Sequence, residues 1–251
     1  MRYLELVLFL VYAYLRTEVA RRFLGFLWWI LEPVMYMTVF YVVFGLGLQQ
    51  ANPDYVPFLL CGMVSWKWFD GSVRQAGTSI TGNTGLLQQI FVPKVIFGLV
   101  QILTNTFKFS VVLLLLIVFL LVTGHRASIE WFGLVPVVLV QLLLIISLGL
   151  LLAALIPFAH DLRQVVDNLL MLLKFMSGIL FSIDSMPGAW REVFGLNPMV
   201  GLIDAYRHVL MHNAWPDWAE LGYAVTVSLP MLAVASVVIH RFERHYPKLV
   251  F

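Results

Sequence analysis

Charge is what this chain has least of. Lys, Arg, Asp and Glu make up 12% of its 251 residues, against roughly 25% in ordinary soluble domains. With 61% hydrophobic residues, the composition predicts a polytopic membrane protein with no room for a separate soluble domain. A net charge of +2 is too small to argue for a nucleic-acid partner. The single cysteine, Cys61, excludes an internal disulfide and a thiolate zinc site, and is expected to pack as a small apolar side chain. No Gly-Lys dipeptide occurs, so there is no phosphate-cradling Walker loop and the chain is not expected to hydrolyse ATP alone. No Asp-rich motif suggests a cation-dependent transferase. His208 and His212 have the i, i+4 spacing of metal ligands, but they lack the intervening Glu and a third ligand. The sequence thus offers no catalytic residue, no metal site and no cofactor of its own. After its apolar run the N-terminus has no small-residue cleavage site, so no removable signal peptide is expected.

Apolar runs dominate what remains. Leu6 to Leu15 is followed by Arg16, Glu18, Arg21 and Arg22. Ten residues are too few to cross a core of about 30 Å, so residues 1–22 are expected to form an interfacial amphipathic helix. Six spans are then predicted, over Trp28 to Leu48, Pro57 to Ser79, Val95 to Thr123, Trp131 to Phe158, Val166 to Ile183 and Trp218 to Ile239. In the fourth, Gly149 and Ala153 make a small-residue contact face. Residues 80–94 read as a polar, Gly-punctuated loop with one short helical turn.

Residues 184–216 are too charged to span and too apolar for a solvated loop. Pro187 could open one helix and Asn197-Pro198 break it. Val200, Ile203, Tyr206 and Leu210 then mark one face of a second. The pattern fits a hairpin re-entering the membrane from outside, and equally two helices lying at the headgroup level. The whole chain, 1–251, is read as one all-α membrane domain. Its basic residues favour one side: Arg2, Arg16, Arg21, Arg22, Arg74, Lys94, Arg163, Arg241, Arg244 and Lys248, against Arg126, Arg191 and Arg207. The positive-inside rule then puts both termini in the cytoplasm and the hairpin outside.

Lys67, Lys108 and Lys174 fall within spans. At mid-membrane each costs roughly 3 kcal/mol on insertion scales, so something must offset them. They either line a hydrated path for an anionic or polyhydroxylated passenger or snorkel and bond to carbonyls. Asp70, three residues after Lys67, is its expected partner. Tyr36, Tyr41, Trp66, Trp68 and Phe69 cluster beside these lysines. Such rings can stack on sugars, although belts and core packing use them too. Arg21 and Arg22 suit either a diphosphate or anionic lipid.

Further motifs stand in a recognisable order. Arg22-Phe23-Leu24-Gly25-Phe26-Leu27-Trp28-Trp29-Ile30-Leu31-Glu32-Pro33 comes first and Phe91-Val92-Pro93-Lys94 follows. Met186-Pro187-Gly188, Trp190-Arg191, Asn197-Pro198 and Arg207 come last. Over essentially its whole length the chain resembles the membrane subunit of type-2 ABC exporters, in the branch that exports lipid-linked polysaccharides such as O-antigen, capsule or teichoic acid. That resemblance implies a homodimer in the bacterial inner membrane, bound to two copies of a separate ATPase subunit that holds ATP and Mg. It implies a cytoplasmic gate at Leu24-Gly25, with Arg21 and Arg22 beside the lipid diphosphate of an undecaprenyl-linked glycan. Thr84 to Pro93, including Gln88, Gln89 and Phe91, would be the coupling helix seated on the ATPase, and His160, Asp161 and Arg163 a second contact. Pro187, Arg191, Asn197, Pro198 and Arg207 would belong to the outward gate. The family often has Ser where Arg22 stands. Rival readings are a drug or small-lipid exporter of the same class, a membrane enzyme acting on lipid-linked sugars, and an ion-coupled carrier, which the missing inverted repeat disfavours.

Overall fold

The computed structural model describes residues 2–20, 23–43, 54–83, 85, 92–159, 161–183, 186–243 and 246. These are all-helical, in the order α1 (Arg2–Ala20), α2 (Leu27–Phe40), α3 (Tyr55–Gly77), α4 (Val95–Val122), α5 (Leu134–Leu155), α6 (Leu162–Phe175), α7 (Gly188–Gly195), α8 (Pro198–Leu210) and α9 (Trp218–Phe242). Short tight turns at Thr81–Asn83 and Ile129–Gly133 complete the described elements.

Among the described residues, three helical segments are long and apolar enough to cross a membrane: α4, α5 with its leading turn, and α9. Polar residues survive in α4 because Thr104, Thr106 and Ser110 donate their hydroxyls to carbonyls one turn back. Helix α3 is long enough too, but Lys67, Asp70 and Arg74 interrupt it. The largest departure from the expected spans is the fifth. Helix α6 begins and ends earlier than Val166 to Ile183, and its 14 residues reach only about 21 Å at 1.5 Å each. Its C-terminal turn leads to Gly178, whose φ of +65° is left-handed backbone that disfavours a side chain.

Helix α3 is the centre of the packing, touching α4, α5, α8, α6 and α2, while α9 packs on the far side of α5. Leu59, Val73, Ile102, Ile145, Ile203 and Leu210 are fully buried around it. The α3–α5 crossing is close because Gly149 faces Ala76. A Cβ on Gly149 would lie 2.9 Å from that of Ala76. Gly149→Leu is therefore expected to destabilise the protein by about 1–3 kcal/mol, read as a lower melting temperature in detergent; an unchanged melting curve would contradict this crossing.

Helix α1 does not stand apart. Val7 is buried against Ile96 and Val100 of α4, and Tyr14 donates to Asn83 at 2.6 Å. Near the other end of the chain, Tyr246 donates to the carbonyl of Ala154. So α1, the turn after α3, the end of α5 and Tyr246 share one end of the bundle. At the opposite end Ser128 and Trp131 both donate to Asn213, at 2.9 Å each, and Tyr55 donates to the carbonyl of Leu180.

The two helices expected around Asn197-Pro198 are α7 and α8. Asn197 caps α8 by accepting from the N–H of Met199 at 3.1 Å, and Pro198 fills the first helical position, where no donor is needed. The periodicity suggested one buried face on α8. In the structure Met199, Leu202, Ala205 and Val209 are buried as well as Val200, Ile203, Tyr206 and Leu210.

Candidate functional site: a cleft of paired charges

Two connected cavities, of about 310 and 550 Å³, open beside α3 between α2, α4 and α6. They share Pro33, Val64, Lys67, Asp70 and Val112, so Lys67 stands where they meet. Trp29, Trp68, Asn105 and Phe109 line the smaller one, and Tyr36, Met37, Leu60 and Trp66 the larger.

The charges here are paired between helices. Lys67 bonds to Glu32 of α2 and sits 5.0 Å from the Tyr36 ring centre, close enough for a cation–π contact. This corrects the expected Lys67–Asp70 pair. Asp70 instead accepts from Arg74 Nε at 2.8 Å, because the i, i+4 register brings those two together while the Lys67 stem leans toward α2. Arg74 also bonds to the carboxylate of Asp167 and to its backbone carbonyl, at 3.2 Å, tying α3 to α6. Lys108 of α4 pairs with Glu18 of α1. Lys174 lines the larger cavity.

The expected path residues divide. Tyr36, Trp66, Lys67, Trp68, Lys108 and Lys174 come together on the cleft wall. Trp68 stacks on Phe109 at 4.0 Å, 9° from parallel, and donates its indole N–H to Thr106. Phe69 is buried behind Trp66, their ring centres 5.3 Å apart, and Tyr41 is half exposed beyond the C-terminal end of α2. Of the cleft carboxylates, Asp70 is legible in the sequence as a partner for a lysine; Glu18 and Glu32 are not. Each lysine was matched only against its own span, whereas Glu18 and Glu32 arrive from other helices.

At the expected gate, Arg21 and Arg22 lie outside the described residues. Leu24 and Gly25 form the turn between α1 and α2, with Gly25 at φ +53° and Val19 close by. Gln88, Gln89, Phe91 and His160 also lie outside the described residues. Pro93 directly precedes Lys94, which stands at the N-terminal boundary of α4; burial pushes the Lys94 ammonium below its ordinary lysine range, and the Glu243 carboxylate opposes that shift. Asp161 stands at the N-terminal boundary of α6, and Arg163 lines a small cavity shared with Arg74 and Asp167.

In the outer segment, Pro187 directly precedes α7 and Arg191 is exposed on it. Asn197 also donates to Ser177 at 2.8 Å. Arg207 is different in kind. It is 3% exposed and donates to the carbonyls of Gly178 (2.9 Å), Ile179 (3.1 Å) and Phe58 (3.4 Å) and to Asp204 (2.9 Å). Its guanidinium lies 3.4 Å from the Phe58 ring centre. Gly62 of α3 makes room for it, since a Cβ there would stand 3.1 Å from Nη2. One side chain thus joins α3, the turn after α6, and α8.

A bundle of apolar helices enclosing a cleft of ion pairs and aromatic rings defines a multi-pass membrane protein with a polar interior. More specifically, the chain belongs to the ABC-2 type transporter family, whose model matches residues 5–211. It is 30% identical over 237 residues to the O-antigen export system permease protein RfbA of Myxococcus xanthus, covering 94% of this chain and 91% of that one. It is 26% identical to the polysialic acid transport protein KpsM of Escherichia coli, over 88% of this chain and 86% of the other. The daunorubicin resistance ABC transporter permease protein DrrB1 of Streptomyces coeruleorubidus is also 26% identical, over 86% and 78%.

Proposed function

We propose that the chain is the transmembrane subunit of an ATP-driven exporter that moves an undecaprenyl-diphosphate-linked polysaccharide, O-antigen or a similar glycan, across the bacterial inner membrane. Two copies pair so that their clefts border one conduit, and two copies of a separate ATPase subunit seat on residues 80–94 and 160–163. Both termini are cytoplasmic. ATP-driven closure of the partners pushes on Gln88 to Phe91, and rigid spans carry that push to the gate at Arg21 to Gly25, where the lipid diphosphate enters. The hairpin over 184–216 closes the outer side.

The observation that carries this reading is the cleft itself. The half-exposed ring of Tyr36 stands beside ammonium, guanidinium and carboxylate groups, with the largely buried Trp66 and Trp68 among the lining residues. Sugars need both kinds of wall, an apolar face to slide on and polar groups for their hydroxyls. The O-antigen and polysialic acid relatives support a polysaccharide as the cargo.

The test is to purify the permease with its ATPase partner and measure nucleotide turnover with and without the lipid-linked glycan. Several-fold stimulation by the glycan is expected; turnover indifferent to it overturns the proposal. Likeness to the daunorubicin relative favours one alternative, export of an amphiphilic drug. Stimulation by an anthracycline and not by the glycan would select it.

A further inference from the structure

The sign of the charges in the cleft reaches further than the class of cargo. Four cations and four carboxylates face the two cavities. Lys67 answers Glu32 and Lys108 answers Glu18, each across two helices. Arg74 is shared by Asp70 and Asp167, which by themselves leave one negative charge over. Lys174 lines the same larger cavity as these three and brings the sum to zero. The described lining residues therefore carry no net formal charge, although they are dense in charge.

We propose that this cleft passes a glycan without net charge and discriminates against a polyanionic one, an inference that rests on the export reading above. A wall that attracts a polyanion needs cations in excess, because a cleft lined by one sign of charge concentrates ligands of the other. Here the ammoniums of Lys67 and Lys108 and the guanidinium of Arg74 are already committed to carboxylates. A passing sugar carboxylate would have to displace one of these and would meet Glu18, Glu32, Asp70 and Asp167 as like charges. A neutral sugar meets no such barrier. Its hydroxyls can donate to the carboxylates and accept from the ammoniums, so ion pairs at successive levels of the wall offer both partners without a charge mismatch. The half-exposed ring of Tyr36 stands beside them. Specificity of this kind comes from repulsion of the wrong cargo as much as from contacts to the right one.

The experiment compares two probes on the complete exporter, permease with its ATPase, in lipid nanodiscs. Both carry the same lipid diphosphate, and their glycans are equal in length, one built of neutral hexoses and one with a carboxylate on every sugar. Half-maximal stimulation of nucleotide turnover is expected to need at least about tenfold more of the anionic probe, since close like-charge contacts are strongly disfavoured. Equal or better stimulation by the anionic probe overturns the proposal and leaves the export reading standing. Failure of both probes overturns the export reading, and the selectivity with it. The second arm is the double variant Glu18→Gln/Glu32→Gln, which leaves a surplus of two positive charges. It should narrow the gap between the probes to within about threefold, as a cationic cleft attracts polyanions. An unchanged ratio in a folded variant shows that the cleft does not set the selectivity. Should the variant fail to fold, the wild-type comparison alone decides.

Discussion

Replacing Arg207 with methionine is expected to lower the melting temperature of the solubilised protein by roughly 6–20 °C, the equivalent of about 3–5 kcal/mol in a chain of this size. Methionine keeps the length of the stem but none of the donors. The carbonyls of Gly178 and Ile179, both in buried contacts, would lose their partner with no water at hand, and an unsatisfied buried acceptor costs about 1–3 kcal/mol each. Asp204 would lose its counter-ion, but it is 34% exposed and can be hydrated, so it contributes the smaller share. Arg207→Lys should fall between the two. It retains the charge but not the planar fork that reaches three carbonyls at once. Arg191→Ala, on the exposed face of α7, is the control and should shift stability by no more than about 0.5 kcal/mol. If Arg207→Met melts like the wild type, the four hydrogen bonds are not what holds α8 against α3.

How legible these features were in the sequence follows from the range of the interactions. Helix boundaries set by local chemistry were readable. Asn197-Pro198 stops one helix and starts the next through a cap and a missing donor, and α4 is a long apolar run. The fifth span was misplaced because hydropathy continues through Met176 to Ile183, while the chain turns at Gly178 to present its carbonyls to Arg207. Nothing near Gly178 in sequence announces a partner 29 residues away. The lysines of the cleft were found because a charge in an apolar run is conspicuous by itself. Their carboxylates were missed because Glu18 sits in what reads as a basic tail and Glu32 at the start of a span. The burial of Arg207 is not legible in the sequence, because the groups that enclose it, Phe58 and Gly62 of α3 and the carbonyls of Gly178 and Ile179, come from distant parts of the chain.

Reversing the charge at Glu18 should free the C-terminal end of the first helix from the bundle. Glu18→Lys places an ammonium against that of Lys108, and both positions are sheltered, with side chains 27% and 21% exposed. Screening is therefore incomplete, and the effect should exceed the roughly 0–1 kcal/mol of a surface pair while staying below the about 3–5 kcal/mol of a fully buried one that loses its partner. A loss of about 2–3 kcal/mol is the expectation, because these groups lie between those limits. In the proposed mechanism α1 leads directly into the gate at Arg21 to Gly25, so glycan-stimulated turnover should fall at least about tenfold, the ratio that corresponds to 1.4 kcal/mol. Lys108→Glu should do the same by setting two carboxylates together. The exchange Glu18→Lys/Lys108→Glu restores an opposite-charge pair in the same place and should recover most of both stability and turnover, a coupling that two independent sites would not show. Val7, packed on Ile96 and Val100, holds the other half of α1 in every variant, so the first helix should remain attached at its start while its gate end is freed. Single variants that behave like the wild type would mean that the Glu18–Lys108 contact does not couple α1 to α4. A double variant no better than either single one would mean that the charges act separately on something else.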